Sequence, residues 1–353
     1  MKILFVNSAE WNQLLGRYQM LYYEAAKKHD CTVLDSKKVF RRKSLKYTNP
    51  MPEKYRRALI FPYQYESRLS RFLTGLSYKR QLRDINDFDV VIVSGPELFR
   101  YIPKSYKNSL VYDCFDLHGR FSKVKGRAEK TYEQERLGSL RSKVVFASAQ
   151  KLEEHIKELA PEANTVLVRN GISGLSFYEV KKPELKENYK IAFFGGVRFW
   201  VDLHILKSTI DDCPNIEYRI IGPIGTKIES HDRIVYEGSC KREELYERVS
   251  DCDALIMPFN ISELTEAVDP LKMYEYIDFG KCIIASYYDE ISRFEPFVYF
   301  YHNENEYVEL IKKLSSEGFP PKYDGKMQRE LLEESTWEKR FEIMDRALSE
   351  YCS

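Results

Sequence analysis

The stretch DPLKMYEYIDFGKCIIAS, residues 269–286, carries a lysine and a glutamate at a spacing suited to a ribose diphosphate. Its apolar residues recur with a helical period and stop at a glycine, which predicts a helix opening at Asp269 and Pro270 and then a short strand. Free N–H groups at a helix N-terminus attract anions, and Lys272 adds a full positive charge in the first turn. Glu275 follows on the same side of the helix, where it can accept hydrogen bonds from two hydroxyl groups.

The string P-L-K-x-Y-E-Y-x-x-x-G-K, followed by a strand, resembles the donor-binding helix of glycosyltransferases with the GT-B fold. The likeness is to bacterial polysaccharide-assembly enzymes near family 4. It implies that Glu275 holds the nucleotide ribose. It also implies that Lys272 binds the pyrophosphate, as in a subset of the family, beside the helix start at Asp269, Pro270 and Leu271. The alternative is an ordinary amphipathic helix in a hydrophobic core.

This chain departs from the family at a glutamate that normally contacts the donor sugar. The corresponding position is Ala267, eight residues before Glu275. Either Glu266 or Asp269 could replace that carboxylate after a small shift of the backbone.

A second motif, FFGGVRFWVD, resembles the glycine-rich turn that opens the C-terminal domain in this family. Gly195 and Gly196 would let the backbone approach a diphosphate, and Arg198 could neutralise it. The family pattern has an arginine directly after the first glycine and a lysine five residues later, where this chain has Gly196 and Val201. The sequence EGS around Gly238 matches the region that sandwiches the nucleobase through backbone groups. For the glycine pair, a plain turn is the alternative.

In the N-terminal half, the loop YDCFDLHGRF is the richest in side chains capable of acid–base chemistry. Asp113, Asp116, His118 and Arg120 lie at or beyond the end of a predicted strand, where a base facing an acceptor hydroxyl would be needed. Two carboxylates three residues apart cannot both ionise freely in a dry cleft, so one pKa should rise. Asp116 is the first candidate base and His118 the second. Alternatively, Asp113 only caps backbone N–H groups and His118 is solvated.

Three further positions in this half follow from the same resemblance. Gly16 and Arg17, in the loop after the first strand, could touch donor phosphate from the first domain. Asn170 in VRNGI resembles the asparagine-glycine element by which family members enter the hinge, and a structural role is predicted for it.

Apolar runs without alternation, separated by helical patterns, predict parallel sheets covered on both faces. Strands are expected at 3–6, 32–34, 87–95, 109–116, 144–149, 165–171, 189–196, 216–223, 233–239, 253–260, 282–285 and 297–301. Helices are expected at 16–28, 127–141, 150–159, 201–212, 241–252 and 336–351. The predicted fold class is α/β, with two doubly wound Rossmann-like domains facing a cleft, as in GT-B. The domains are an acceptor-side domain (1–172), a donor-binding domain (173–335, entered by a linker at 173–188) and a C-terminal helix (336–353) crossing back.

Composition narrows the functional classes. The 353 residues suit two domains, and a net charge of +1 excludes polyanion binding by bulk charge. Seven cysteines show no C-x-x-C pair and no metal-ligand spacing with the six histidines, which favours a reduced chain without zinc or disulfides. The resemblance likewise implies catalysis without metal. Since no apolar run approaches the length of a membrane span, and MKILFVNSAE is too soon polar for a signal peptide, a cytoplasmic location is expected.

Charge is concentrated in one segment. Residues 37–83 contain 14 lysines and arginines against two acids, Glu53 and Glu66, interleaved with aromatic residues such as Phe40, Tyr47, Tyr65 and Phe72. A basic, aromatic-rich segment suits an anionic membrane surface or a phosphorylated, lipid-linked acceptor. A solvated helical face explains it equally well, and nucleic acid is a weaker third alternative because no nucleic-acid module accompanies it.

Together these features favour a glycosyltransferase that moves a sugar from a nucleotide diphosphate donor to a glycan hydroxyl. A UDP-sugar is the favoured donor, a lipid-linked saccharide the favoured acceptor, and no separate cofactor is expected. Two alternatives share the architecture: a sugar-nucleotide 2-epimerase, and an inactive GT-B scaffold protein.

Overall fold

A computed structural model describes residues 1–12, 15–40, 49–63, 67–121, 126–226 and 231–352. The chain divides into two compact units. The first combines Met1–Gly171 with the chain from Trp337 onward, and the second is Ile172–Thr336. Among the described residues, no helix is both long and apolar enough to span a bilayer. Part of the basic segment, including Tyr47, Tyr65 and Glu66, lies outside them.

Strands and helices alternate along most of the described chain. The strands are β1 (Lys2–Val6), β2 (Asp30–Lys38), β3 (Lys54–Ile60), β4 (Val90–Val93), β5 (Ser109–Cys114), β6 (Val144–Ala147), β7 (Thr165–Leu167), β8 (Tyr189–Phe194), β9 (Ile216–Ile221), β10 (Ile234–Gly238), β11 (Ala254–Met257), β12 (Cys282–Ser286) and β13 (Tyr299–Tyr301). The α-helices are α1 (Arg17–Ala26), α2 (Arg68–Gln81), α3 (Arg127–Arg141), α4 (Gln150–Leu159), α5 (His204–Lys207), α6 (Arg242–Val249), α7 (Glu263–Glu266), α8 (Leu271–Asp278), α9 (Glu304–Glu317), α10 (Gly325–Glu333) and α11 (Trp337–Tyr351).

The first unit is built on a seven-stranded parallel sheet in the order β3-β2-β1-β4-β5-β6-β7. Every residue of β4, β5 and β6 is buried, as expected for parallel strands with helices on both faces. Helix α11 belongs to this unit although it ends the chain. It packs against α1, and Nε2 of His29 lies 2.6 Å from the Asp345 carboxylate.

The second unit has a six-stranded parallel sheet in the order β10-β9-β8-β11-β12-β13. Its core includes every residue of β11 and β12, and the inner face of α8. The chain runs outward from β8 to β10 and then returns to the other side of β8 with β11. Ligands of open parallel sheets bind at the carboxyl ends of the strands that flank such a reversal. In this unit those ends lead into residues 195–202 and 258–270.

The architecture is the predicted one, a pair of doubly wound α/β units, but several local predictions are wrong. The helix expected at 201–212 is only the single turn α5, because Val201 bridges to Phe259 and the Asp202 carboxylate caps the N–H groups of His204 and Ile205. Strand β3 and helices α2, α7, α9 and α10 were not predicted. Pro270 is the N-cap of α8, with extended backbone, and not a first-turn residue.

Candidate functional site

The two loops at the strand reversal of the second unit are hydrogen-bonded to each other. The backbone N–H of Asp202 donates to the carbonyl of Pro258 at 2.7 Å, and that of Asn260 donates to Trp200 at 2.9 Å. The backbone geometry of the candidate site is therefore fixed by the protein itself.

Three glycines lie side by side at the ends of β8, β9 and β10. Gly195 has φ +130°, Gly222 has φ +144° and Gly238 has φ +72°, all in the region that favours glycine. The N–H of Gly222 donates to Gly238 at 2.8 Å, and a Cβ on Gly222 would overlap the carbonyl oxygen of Gly195. Hydrogen in place of a side chain lets the three strand ends approach one another, and Gly195 and Gly238 remain partly exposed.

Lys272 lies directly against Gly195. A Cβ on Gly195 would overlap Cε of Lys272 and lie 2.6 Å from its Nζ. The ammonium is 5.7 Å from the centroid of the Phe193 ring. Thus the predicted glycine-rich turn and the predicted phosphate lysine, 77 residues apart in sequence, form one site.

The Lys272 ammonium is poorly compensated. Burial lowers its pKa, and the charge of Glu275 opposes that shift only in part. Among the described residues, no carboxylate forms a salt bridge with it. A cation that has lost water without gaining a close counter-ion gains free energy when an anion arrives.

Helix α8 turns one face toward solvent. Met273, Tyr274, Tyr276 and Ile277 are buried, whereas Leu271, Lys272, Glu275 and Phe279 are partly exposed and lie on one side. The predicted ligands of diphosphate and ribose therefore share the accessible face. Glu275 does not point into packed hydrocarbon.

The structure corrects the role of Asp269. Its carboxylate is buried, forms an ion pair with Arg293 and accepts hydrogen bonds from the Tyr274 hydroxyl at 3.2 and 3.3 Å. It therefore cannot replace the glutamate that the family has at Ala267. Glu266 ends α7 and is partly exposed, so it is the carboxylate left for that role.

The remaining predicted donor residues differ in how they are held. At Gly196, no atom lies within 4 Å of the position that a Cβ would occupy. Packing inside the protein therefore does not require glycine at this position. Arg198 is exposed, and its side chain crosses over Gly225, where a Cβ would lie 2.7 Å from Cδ. The backbone of Gly238 ends β10 at a register shift, beside the strand ends that carry Gly195 and Gly222.

In the first unit, the loop after β5 holds a carboxylate, that of Asp116, which forms no salt bridge within the described part of the chain. Burial raises the pKa of Asp116 to about 6, and the nearby His118 offsets this only in part. Nε2 of His118 is buried and has no hydrogen-bond partner among the described residues. The His118 ring packs edge-on against Phe115, with 5.3 Å between centroids. The rise expected for one of the two aspartates thus falls on the predicted base, but its cause is burial and not the predicted repulsion from Asp113.

Asp113 and Arg17 neutralise each other, contrary to the roles predicted for them. Nη2 of Arg17 donates to Asp113 at 2.7 Å and Nε at 3.0 Å, while Nη1 donates to the carbonyl of Val168 at 2.7 Å. Both side chains are buried, so in this geometry Asp113 is not a free base and Arg17 is not a free phosphate ligand. Nη1 also contacts Oδ1 of Asn170, in keeping with a structural asparagine, and Gly16 caps α1.

Sequence reasoning missed the residues that support these two sites. Glu135, in the middle of α3, is fully buried against β5, where it accepts a hydrogen bond from Tyr112 at 2.6 Å, and it lies 2.9 Å from Nε2 of His155 on α4. A single glutamate within an amphipathic helix gives no signal of this. Phe193 could have been noticed, because the apolar run before a glycine pair must place a side chain beneath that turn.

No family model matches the chain. A curated relative from Bacillus subtilis (strain 168), assigned as the teichuronic acid biosynthesis glycosyltransferase TuaH, is 22% identical over 226 residues. The match covers 58% of this chain and 57% of that protein, so the alignment spans little more than half of the relative's length.

Solved structures match over nearly the whole chain. The lipopolysaccharide outer core galactosyltransferase WaaB, in its apo form, has a TM-score of 0.70 at 16% identity and covers 99% of both chains. Anabaena HepE in complex with UDP has a TM-score of 0.72 at 12% identity, covering 99% of this chain and 100% of that one. At these identities the likeness shows the fold, which is GT-B, as the donor-helix motif predicted.

Proposed function

We propose that this GT-B chain is a glycosyltransferase that moves a sugar from a nucleotide diphosphate donor to a hydroxyl group of a glycan acceptor. The observation that carries the proposal is the Lys272 ammonium, held against Gly195 without a salt bridge to any described carboxylate. A poorly compensated cation beside an open backbone suits a ligand with concentrated negative charge. The name of the Bacillus subtilis relative supports the same reaction class.

On the donor side, the chain stabilises charge that develops as the sugar leaves. Lys272 and the first N–H groups of α8 act on the departing diphosphate, with the exposed Arg198 as a further cation. Gly195 allows the phosphates to approach the backbone, Glu275 accepts the ribose hydroxyls, and the backbone at Gly238 meets the base. None of these steps requires a metal ion.

UDP is the proposed nucleotide. The HepE structure, which has the same fold, is a complex with UDP, and this supports the choice. Recognition through the backbone at Gly238 would not by itself distinguish uracil from guanine, so the choice is tested directly below.

On the acceptor side, Asp116 is the proposed base. A carboxyl group with a pKa of about 6 is ionised at neutral pH yet more basic than an ordinary aspartate. The acceptor is proposed to be a lipid-linked saccharide, on the strength of the relatives named for cell-surface polymers. His118, with its unpartnered Nε2, is the reserve candidate.

Ligand binding tests the donor site first. Thermal unfolding is measured with UDP-, GDP-, dTDP- and ADP-sugars, and the UDP-sugar is expected to raise Tm most, since ligand at 100 times Kd adds about 2.7 kcal/mol of stability. Gly195→Ala should abolish the shift because its Cβ displaces Lys272, whereas Gly325→Ala on α10, outside the proposed site and with open space around its Cβ, should retain it. Unliganded Tm and circular dichroism check that both variants fold.

If Gly195→Ala fails to fold, Lys272→Met takes its place, because it keeps the aliphatic stem on Gly195. A UDP-sugar shift as large in Lys272→Met as in the unmodified chain would contradict the site. Incubation with UDP-N-acetylglucosamine alone separates the transferase from an epimerase, since only an epimerase converts it reversibly without acceptor. If no nucleotide sugar shifted Tm, the alternative of an inactive GT-B scaffold protein would be favoured.

A further inference from the structure

Helix α2 attaches to the sheet of the first unit through polar side chains. It lies along β3, the edge strand, where the hydroxyls of Ser77 and Thr74 accept hydrogen bonds from the backbone N–H groups of Leu59 (2.8 Å) and Phe61 (3.1 Å). Tyr78 is buried on the same side and stacks on Tyr101, with 4.1 Å between ring centroids. Contacts with an edge strand thus take up the polar face of the helix.

The opposite face of α2 is apolar and exposed. Leu69, Phe72 and Leu76 are 67%, 66% and 53% exposed. Their spacing of i, i+3 and i+7 places them in one stripe along the helix. A helix at the surface of a globular protein normally buries such a stripe and exposes its polar side. Helix α2 does the reverse.

Positive charge borders the exposed stripe. Arg68, Lys79 and Arg80 are exposed and project beside it, and α2 contains no acidic residue. Among the described residues these three cations form no salt bridge. The neighbouring Arg83 is exposed as well.

We propose that α2 lies on an anionic lipid bilayer, with Leu69, Phe72 and Leu76 in the interface and Arg68, Lys79 and Arg80 on the lipid phosphates. Apolar side chains flanked by basic ones are the signature of an interfacial helix. A second copy of this chain is a poorer occupant, because two-fold pairing through α2 would oppose the same cations across the contact. Binding of α2 to a bilayer does not depend on the proposed function. Only its biological purpose does, which is to bring the enzyme to a lipid-linked acceptor.

Vesicle co-sedimentation tests the surface with the full chain. Binding is expected to vesicles containing phosphatidylglycerol, to be much weaker to phosphatidylcholine alone, and to fall with added salt. The triple variant Leu69→Ser/Phe72→Ser/Leu76→Ser should bind about tenfold more weakly or worse. Arg68→Gln/Lys79→Gln/Arg80→Gln should lose about fivefold for each cation removed.

A matched control is available on α3, where Leu137 and Leu140 are 48% and 40% exposed beside the paired charges of Glu133 and Arg136. Leu137→Ser/Leu140→Ser should bind vesicles like the unmodified chain. All variants should keep the UDP-sugar thermal shift, which shows that they fold and separates this proposal from the proposed function. Equal binding by the α2 and α3 variants, or no binding to anionic vesicles, would overturn it. So would self-association that the α2 triple variant abolishes.

Discussion

In the first unit, Arg17 pairs with Asp113 at the carboxyl edge of the sheet, and Asp116 three residues further on is left without a salt bridge among the described residues. In the second unit, Arg293 pairs with Asp269 at the corresponding edge, and Lys272 three residues further on is left in the same condition. At this edge, each unit therefore holds one buried carboxylate in an ion pair and, three residues further on, one partly buried ion that has no salt bridge among the described residues.

The two uncompensated ions have opposite sign. Burial raises the pKa of Asp116 to about 6 and lowers the pKa of Lys272, so both groups are pushed toward neutrality. Sugar transfer needs a base for the acceptor hydroxyl and a cation for the departing diphosphate. The pairs fix the backbone, and the residues next to them are available for chemistry. If this distinction is right, breaking a pair should cost stability, whereas removing an unpaired ion should cost activity or binding.

The largest effect is expected for the unpaired carboxylate. Asp116→Asn should lower kcat/KM by about 10²–10⁴-fold, the usual contribution of a general base. In the unmodified enzyme kcat/KM should rise as pH passes upward through about 6, since the base must be ionised, and the variant should lack that rise. The measurement is transfer from the donor sugar that the thermal shifts identify.

Stability gives the control for this variant. The native-state pKa of Asp116 lies above that of an unfolded chain, so the native state holds the proton more tightly. Stability from this group is full below about pH 4 and is lost as pH rises toward 6. Asp116→Asn should therefore be at least as stable as the unmodified chain at pH 7. Normal turnover in a folded Asp116→Asn protein, with loss in His118→Gln, would move the base to His118.

Breaking the ion pair of the first unit should mainly cost stability. Arg17→Met leaves Asp113 buried without a partner, and about 3–5 kcal/mol of unfolding free energy should be lost. Arg17→Met/Asp113→Leu should recover much of it, because no charge remains buried. Urea unfolding followed by tryptophan fluorescence suits this unit, since Trp11 and Trp337 are both buried within it.

The same variant tests the earlier prediction that Arg17 touches donor phosphate. A stable Arg17→Met protein that binds UDP-sugar poorly would show that the arginine leaves Asp113 for the ligand. Arg17 would then act on the ligand although it belongs to an ion pair, and the distinction between paired structural ions and unpaired functional ions would fail.

Features set by residues close together in sequence could be predicted, whereas features set by contacts between distant residues could not. The bounds of α3 and α4 were predicted to the residue, because local periodicity decides them. The helix at 201–212 was not, because a bridge from Val201 to Phe259 overrides local preference. The ion-pair partners of Asp113 and Asp269 lie 96 and 24 residues away in sequence. No local sequence pattern therefore distinguishes these paired carboxylates from Asp116.

A smaller loss is expected for the unpaired cation. Lys272→Met should weaken UDP-sugar binding about 100-fold, the scale of a charge-assisted contact with phosphate. Without ligand the variant should be as stable as the unmodified chain or more so, because it no longer desolvates an ammonium. Titration calorimetry measures the affinity, and thermal unfolding measures the stability.

Lys281 supplies the matched control. Its Nζ donates to the carbonyls of Ser250 and Cys252, both at 2.7 Å, so Lys281→Met should lose stability and keep its affinity for ligand. A diphosphate should also raise the pKa of Lys272, so binding should take up protons at alkaline pH and weaken as pH rises above the pKa of the free enzyme. Calorimetry in buffers of different ionisation enthalpy detects this uptake. If Lys281→Met and Lys272→Met behaved alike, Lys272 would be structural.

The smallest effect is expected at Glu275, which is partly exposed on the open face of α8. Glu275→Gln keeps the shape and one acceptor oxygen but replaces charge-assisted hydrogen bonds to the ribose by neutral ones, so affinity should fall about tenfold. The loss should be marked for UDP and nearly absent for inorganic pyrophosphate, which has no ribose. That pairing matters because Glu275 also opposes the lowering of the Lys272 pKa. If the glutamate acted only through the lysine, Glu275→Gln would change pyrophosphate binding as much as UDP binding, and the assignment of ribose to Glu275 would be wrong.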